Sequence, residues 1–363
     1  MNKKLIALAV AGATLAPAAM AQTANPVTLY GRVFVMFENV KADGGTAAPV
    51  SSRNRVNHVN GSNFGIRGTE DLGGGLKVGF QFETAFNPDS NDTTFAARNS
   101  GINLSGNFGT VLLGRWDTPF KNAGSIAFDP FGNLTIASFT SAMADRGNFD
   151  RREQNVVQYW SPNWSGFAAR VSYSANEGKT ATVNPVVTSF NVSYTKGPIL
   201  LVAAREKHKD IFKNYTGAVA TNVAGASETG QSLGGAVTFG PVRAAVVLQR
   251  YEKNGGGTTV TSDQRAQMFN LIYTAGKNQF IFQHQRSKDG ATRANAAAVT
   301  AEPDTKVNSL GYYYNFSRRT SLVAVYTQVK NNSFGLGNFG AGPLAIAGDQ
   351  DPRGFAIGMR HTF

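Results

Sequence analysis

A search for reaction chemistry starts with the histidines, and here they do not assemble. His58, His208, His284 and His361 are scattered along the chain. None stands in the His-Glu-x-x-His spacing that puts two zinc ligands on one helix face, and no Gly-x-Ser-x-Gly turn presents a serine nucleophile. A Ser–His site using His284 is conceivable, but most lone histidines are structural or solvated. Clustered cysteine or histidine ligands for a metal are also missing, since the chain has no cysteine at all. Gly73-Gly74-Gly75 reads as a turn and not as a phosphate-cradling loop. The residues therefore predict no enzyme, no metal site and no cofactor.

What remains is charge. Thirty-five lysines and arginines stand against 23 acids, a net +12. A basic excess of this size points to nucleic acid, to acidic surfaces or to anionic solutes. The first residues decide among them. Lys3 and Lys4 precede an apolar run from Leu5 to Leu15, and Ala19-Met20-Ala21 supplies an A-x-A cleavage site. The run is short and broken by Pro17, so it cannot serve as a spanning helix. Residues 1–21 are expected to be a secretory signal peptide, with the mature chain, residues 22–363, beginning at Gln22. Export argues against nucleic acid as a partner.

The elements that must carry this charge share one grammar, with no linker that would mark a second domain. Val78, Phe80 and Phe82 lie on one face of a strand while Lys77, Gly79, Gln81 and Glu83 lie on the other. About sixteen such alternating segments run from residue 28 to residue 363, an even number usual for bacterial barrels. Short turns such as Gly197-Pro198 and Gly240-Pro241 alternate with long polar stretches such as 41–57, 212–228 and 331–351. This pattern predicts an all-β fold, a transmembrane antiparallel β-barrel of about 16 strands with short periplasmic turns and long extracellular loops. A secreted, water-soluble binding module would have to explain apolar faces such as Phe80 and Phe82. Residues 117–150 form the longest connection, and a loop of that length in a compact fold is expected to be functional. Phe120, Phe128, Phe131, Phe139 and Phe149 give it anchors for folding into the barrel. The chain ends on a period-two strand in which Phe355, Ile357, Met359, His361 and Phe363 alternate with smaller or polar residues. Pairing that strand with the first would close the ring and remove an exposed edge.

Several motifs carry a resemblance across essentially the whole mature chain. They are Leu29-Tyr30-Gly31, the run from Gly65 to Leu76, Leu113-Gly114-Arg115, Asp129-Pro130-Phe131-Gly132, Tyr159-Trp160-Ser161-Pro162 and the terminal Arg360-His361-Thr362-Phe363. In this order they resemble the Gram-negative general porins of β-proteobacteria. The resemblance implies a homotrimer of sixteen-stranded barrels in the bacterial outer membrane. It implies that the third extracellular loop folds inward to narrow each pore, with a ladder of basic residues opposite its acids. Outer-membrane lipid and lipopolysaccharide, the barrel-assembly machinery and small hydrophilic solutes are the partners it implies.

Carried over residue by residue, the resemblance places Arg32, Arg98 and Arg152 on the basic side. Arg32 also has the inward parity opposite Val33, Val35 and Phe37, and Arg152 shares parity with Gln154 and Gln158. Arg98 shares parity with Ile102 and Leu104, so its inward placement requires a bulge or bend. Glu83 and Asp129 are the expected acids, with Asp117 as a third, and Phe363 is the expected assembly signal. Asn63 departs from the family, whose members usually carry arginine there. The function implied is passive diffusion of small hydrophilic solutes with a preference for anions. A substrate-specific channel for an anionic solute is the alternative.

Overall fold

The computed structural model of the protein describes residues 26–45, 48–57, 61–89, 93–175, 177–212, 221–256, 261–289, 304–332 and 335–363. The expected signal peptide, residues 1–21, lies outside the described residues, as does His58. Alternation of apolar and polar residues gives the following strands: β1 (Val27–Asp43), β2 (in two pieces, Val50–Asn57 and Ser62–Gly73), β3 (Leu76–Phe86), β4 (in two pieces, Thr93–Thr94 and Ser100–Gly106), β5 (Gly109–Asp117), β6 (Arg152–Trp160), β7 (Phe167–Ala175) and β8 (Val186–Lys196). The second half comprises β9 (Ile199–Phe212), β10 (Thr221–Phe239), β11 (Val242–Asn254), β12 (Thr261–Ala275), β13 (Asn278–Asp289), β14 (Asp304–Asn315), β15 (Thr320–Asn331) and β16 (Asp351–Thr362).

Each strand pairs antiparallel with its chain neighbours. The two pieces of β2 bond to successive halves of β1, with Val56 opposite Phe37 and Ile66 opposite Leu29. Part of the stretch 41–57, expected to be loop, is therefore strand. β1 also pairs with β16 from Arg32–Thr362 to Asp43–Asp351, and Gly31 and Phe363 exchange backbone bonds of 3.1 and 3.0 Å. The result is a closed antiparallel barrel of 16 strands. Closure leaves no unpaired edge, the condition for a sheet to sit in hydrocarbon.

The two faces differ as the alternation requires. Leu29, Val33, Phe37, Ile66, Phe82, Leu201, Leu248, Phe282 and Ile357 are exposed on the outside. The opposite parity buries Phe34, Met36, Glu38, Val202, Gln249 and Gln283 on the inside. The wall is uneven in height: β5, β6 and β7 have 9 residues each, whereas β9 has 14 and β10 has 19. The expected loop 212–228 shrinks accordingly, because β10 begins at Thr221.

Candidate functional site

The connection between β5 and β6 turns inward. Thr118 caps its first short helical turn by accepting the Lys121 amide at 3.2 Å, with Pro119 at the helix start. Phe120, Phe128, Phe139, Met143 and Phe149 then pack against Val202, Ala204, Ala236, Val247, Tyr251 and Met268 on the inner face. Phe131 and Ile136 pack against Ile272, Ile281, Val307, Tyr313 and Val325 further round the ring. Glycines make the seats. A Cβ on Gly230 would meet the Phe149 ring at 2.7 Å, and one on Gly311 would meet the Phe131 ring at 2.5 Å. Gly234 receives the ring of Phe128 in the same way.

Apolar contacts alone would leave the loop backbone unsatisfied, and wall side chains supply the missing partners. Asn191 donates to the Pro119 carbonyl at 2.6 Å, Asn270 to Phe128 at 2.9 Å, Gln283 to Ala137 at 3.1 Å and Gln285 to Ser138 at 3.0 Å. Ser189 and Gln249 accept the amides of Phe120 and Ala144 at 2.9 and 3.0 Å. The loop is thus held by the strands β8 to β15, through rings throughout and through neutral side chains on β8 to β13. The connection 332–350 adds a second layer: Phe339 and Leu344 are buried in the same core, and the Gly340 amide donates to Ser141 at 3.0 Å. Sequence reading treated that connection as a polar outer loop.

Asp129 belongs to this scaffold. Its carboxyl accepts the amides of Phe131 (3.0 Å), Asn133 (2.6 Å) and Phe139 (3.0 Å). Burial pushes its pKa up to about 7, against the lowering effect of those three amides. The expected acid of the pore is therefore turned into its own loop and does not stand free opposite the arginines. Asp117 meets one of them, Arg152, but as a fixed structural pair. It pairs with Arg152 at 3.0 Å and with Lys121 at 3.2 Å, and accepts from Asn99 at 2.8 Å, which ties the base of the loop to the wall.

The other side of the interior is arginine-lined. Arg32 points inward, donates to the Gly61 carbonyl at 2.8 Å and lies within electrostatic reach of Arg98, Arg360 and Glu83. Arg98 sits in the break between the two pieces of β4, where Ala96 has φ +56°, and ion-pairs with Glu83. That break is the bend its parity required. Glu83 also accepts from the Tyr30 hydroxyl at 3.0 Å. Arg152 continues the row by donating to Asn99 at 2.7 Å.

Sequence reasoning missed two members. Arg360 stands beside the Tyr313 ring at 5.5 Å and opposite Phe34 in register. Its parity with Gly354, Ala356 and Gly358 on β16 was the available signal. Arg115 donates to the Ala97 carbonyl at 2.8 Å and shares a recess of about 300 Å³ with Arg151, Arg152 and Glu153. Simple alternation hid it, because the register of β5 and β6 shifts between Gly114 and Trp116.

Comparison with known proteins fits this geometry. The sequence matches the Gram-negative porin family over residues 7–333. The chain belongs to the Gram-negative porin family. It is 31% identical to outer membrane porin protein 32 of Delftia acidovorans over 388 residues, spanning 100% of both chains. An anion-selective porin from Comamonas acidovorans superposes with a TM-score of 0.78 at 26% identity, covering 93% of this chain and all of the other. The trimer form of Vibrio cholerae OmpT shares the fold at 18% identity and a TM-score of 0.69, covering 94% of this chain and 100% of that one. This porin is an outer-membrane channel for passive diffusion and not an enzyme.

Proposed function

We propose that this porin passes small hydrophilic solutes with a preference for anions, through a constriction bounded by residues 117–150 on one side and by Arg32, Arg98 and Arg152 on the other. The observation that carries the reading is the run of arginines on or beside β16, β1, β4, β5 and β6, across the interior from the seat of the loop. Guanidinium groups stay charged at any physiological pH, and low-dielectric walls focus their field on a narrow lumen. Arg32 and Arg360 form no ion pair among the described residues, so their charge is uncompensated. Glu83 sets the transverse component of the field, while Asp117 holds Arg152 and the loop base in place. The named selectivity of the Comamonas porin, whose fold this chain shares at 26% sequence identity, supports the same sign.

The low wall supports homotrimer assembly. The outward residues of β4 to β7 include Ile102, Leu104, Val111, Leu113, Val157 and Val171, an apolar surface suited to another copy. Phe363, whose ring lies against Gly31 at the seam, is assigned as the signal read by the barrel-assembly machinery. Its deletion should lower folded trimer in outer membranes while export continues; unchanged trimer would refute that role. Residues 1–21 are the cleaved leader, and lipopolysaccharide contacts the outside of the barrel. The channel reading is tested by the zero-current potential of the wild-type trimer in a KCl gradient across a planar bilayer. The potential should have the sign of chloride permeation; the opposite sign would overturn the anion preference.

A further inference from the structure

Of the three tryptophans, Trp164 lies at the short turn between β6 and β7 and is 56% exposed, the place of an interfacial girdle residue. Trp160 is placed differently. On β6 it shares parity with Val156 and Gln158, which are buried on the inside, and alternates with Val157 and Tyr159, which are exposed on the outside. Its indole therefore faces the lumen, where the Nε1–H donates to Gln158 at 2.6 Å. The Trp116 ring lies against it at 5.7 Å between centroids, tilted by 54°. The rings of Phe120, Phe128, Phe139 and Phe149 are fully buried with the loop, whereas both indoles are only half-buried. Aromatic surface left in a water-filled lumen costs free energy unless a solute covers it.

A cation completes the group. Arg170 of β7 is directly opposite Trp160 in register, with its guanidinium 5.1 Å from that ring. Its Nη1 donates to the Asn122 side-chain oxygen at 2.8 Å, and Asn122 is oriented in turn by donating to the Thr118 carbonyl at 3.0 Å. Gln158, which fixes Trp160, donates to the Asp117 carbonyl at 3.0 Å. Ring and cation are thus set by the first turn of the inward loop before any solute arrives, which lowers the ordering cost of binding. Arg170 forms no ion pair among the described residues, and its remaining N–H donors suit a carboxylate, which can accept two at once. The Trp116 indole N–H also has no acceptor among the described residues, which adds a donor beside the rings.

We propose that Trp116, Trp160 and Arg170 form a lumen subsite for aromatic carboxylates, with the solute ring against the indole pair and its carboxylate on the guanidinium. The subsite deepens the channel reading by naming a solute class, and it rests on that reading only in requiring an open lumen. Trimers in a planar bilayer, in symmetrical KCl at neutral pH, should be titrated with benzoate, cyclohexanecarboxylate and benzyl alcohol. The concentration that halves the ion current is read for each. Cyclohexanecarboxylate keeps the charge without the aromatic face, and benzyl alcohol keeps the ring without the charge. Benzoate should act on the wild type at a concentration about tenfold below either of the others, the scale of one stacking or charge-assisted contact. Trp116→Leu should raise the benzoate value about tenfold and leave cyclohexanecarboxylate where it was, and Trp116→Phe should restore most of the loss. Arg170→Gln should raise the values for both carboxylates. The wild-type comparison needs no variant, so a variant that fails to fold leaves the test intact. Equal action of benzoate and either control on the wild type, or a conducting Trp116→Leu channel that keeps the full benzoate preference, would overturn the subsite. The sign of the KCl potential is a separate reading: a cation-preferring channel that still favours benzoate would overturn the anion preference and uphold the subsite.

Discussion

The two sides of the barrel interior solve opposite problems. From β8 to β15 the wall presents glycine seats, apolar side chains and neutral amides, and uses them to fix a long loop. Most of its charged groups are held within the protein: Lys253 pairs with Asp145, His208 lies between Glu206 and Glu228 at 2.9 and 2.8 Å, and Arg243 donates to the Ala127 carbonyl of the loop at 3.1 Å. From β16 round to β6 the wall carries arginines that exceed the acids beside them. The difference teaches that narrowing the pore and charging it are assigned to separate strands. Changes on one side should alter width and stability, and changes on the other should alter ion preference.

The largest effect is expected on the packed side. Phe149 is fully buried, stacked on His208 at 4.5 Å and against Tyr251 at 4.9 Å. Phe149→Ala should cost about 3–5 kcal/mol of packing. It should lower the temperature at which the folded band is lost and give larger, noisier single-channel currents. A reversal potential shifted as far as by an arginine substitution would break the division between the two sides.

A smaller change is expected from Glu83→Gln. It removes the ion-pair partner of Arg98, 20% exposed at its side chain, and so leaves more positive charge in the lumen. Anion preference should rise with little change in conductance. A move toward cations would mean that Glu83 does not act on the permeating ions.

The smallest is a pH effect in the loop. The Asp129 carboxyl titrates at about 7 in the fold against an ordinary 3.8. The folded state therefore holds its proton more tightly than the unfolded chain does. Its contribution is fully present below about pH 4 and is lost as pH rises through 7. Thermal stability of the wild type should fall over that window relative to Asp129→Asn, which cannot ionise there. Parallel pH profiles for the two proteins would show that Asp129 does not couple protons to loop packing.

The barrel was legible in the sequence because period two is a strong signal when one face meets hydrocarbon. The count of about sixteen strands could be read from that alternation, and the inward turn of 117–150 followed from its phenylalanines. The interior was less legible, because where alternation fails, direction is set by three-dimensional breaks. Arg98 needed the gap in β4, and Arg115 needed the register shift against β6. Asp129 illustrates a different limit. A carboxylate beside Pro130 and Phe131 looks the same in sequence whether it faces the pore or caps its own loop, and only the amides of Asn133 and Phe139 decide. The neutral wall residues Asn191, Asn270, Gln283 and Gln285 could not be singled out, since their partners lie more than 70 positions away.

The division between a packed side and a charged side is tested most directly by Arg32→Ala with Arg360→Ala. Neither arginine forms an ion pair among the described residues, so the double variant orphans no acid there. The measurement is the zero-current potential in a KCl gradient, taken at low and at high ionic strength. The potential should move toward zero relative to the wild type, with the greater shift at low salt, where screening over the lumen is weaker. A double variant that folds, conducts and keeps the wild-type potential at low salt would contradict the assignment of selectivity to the arginine wall.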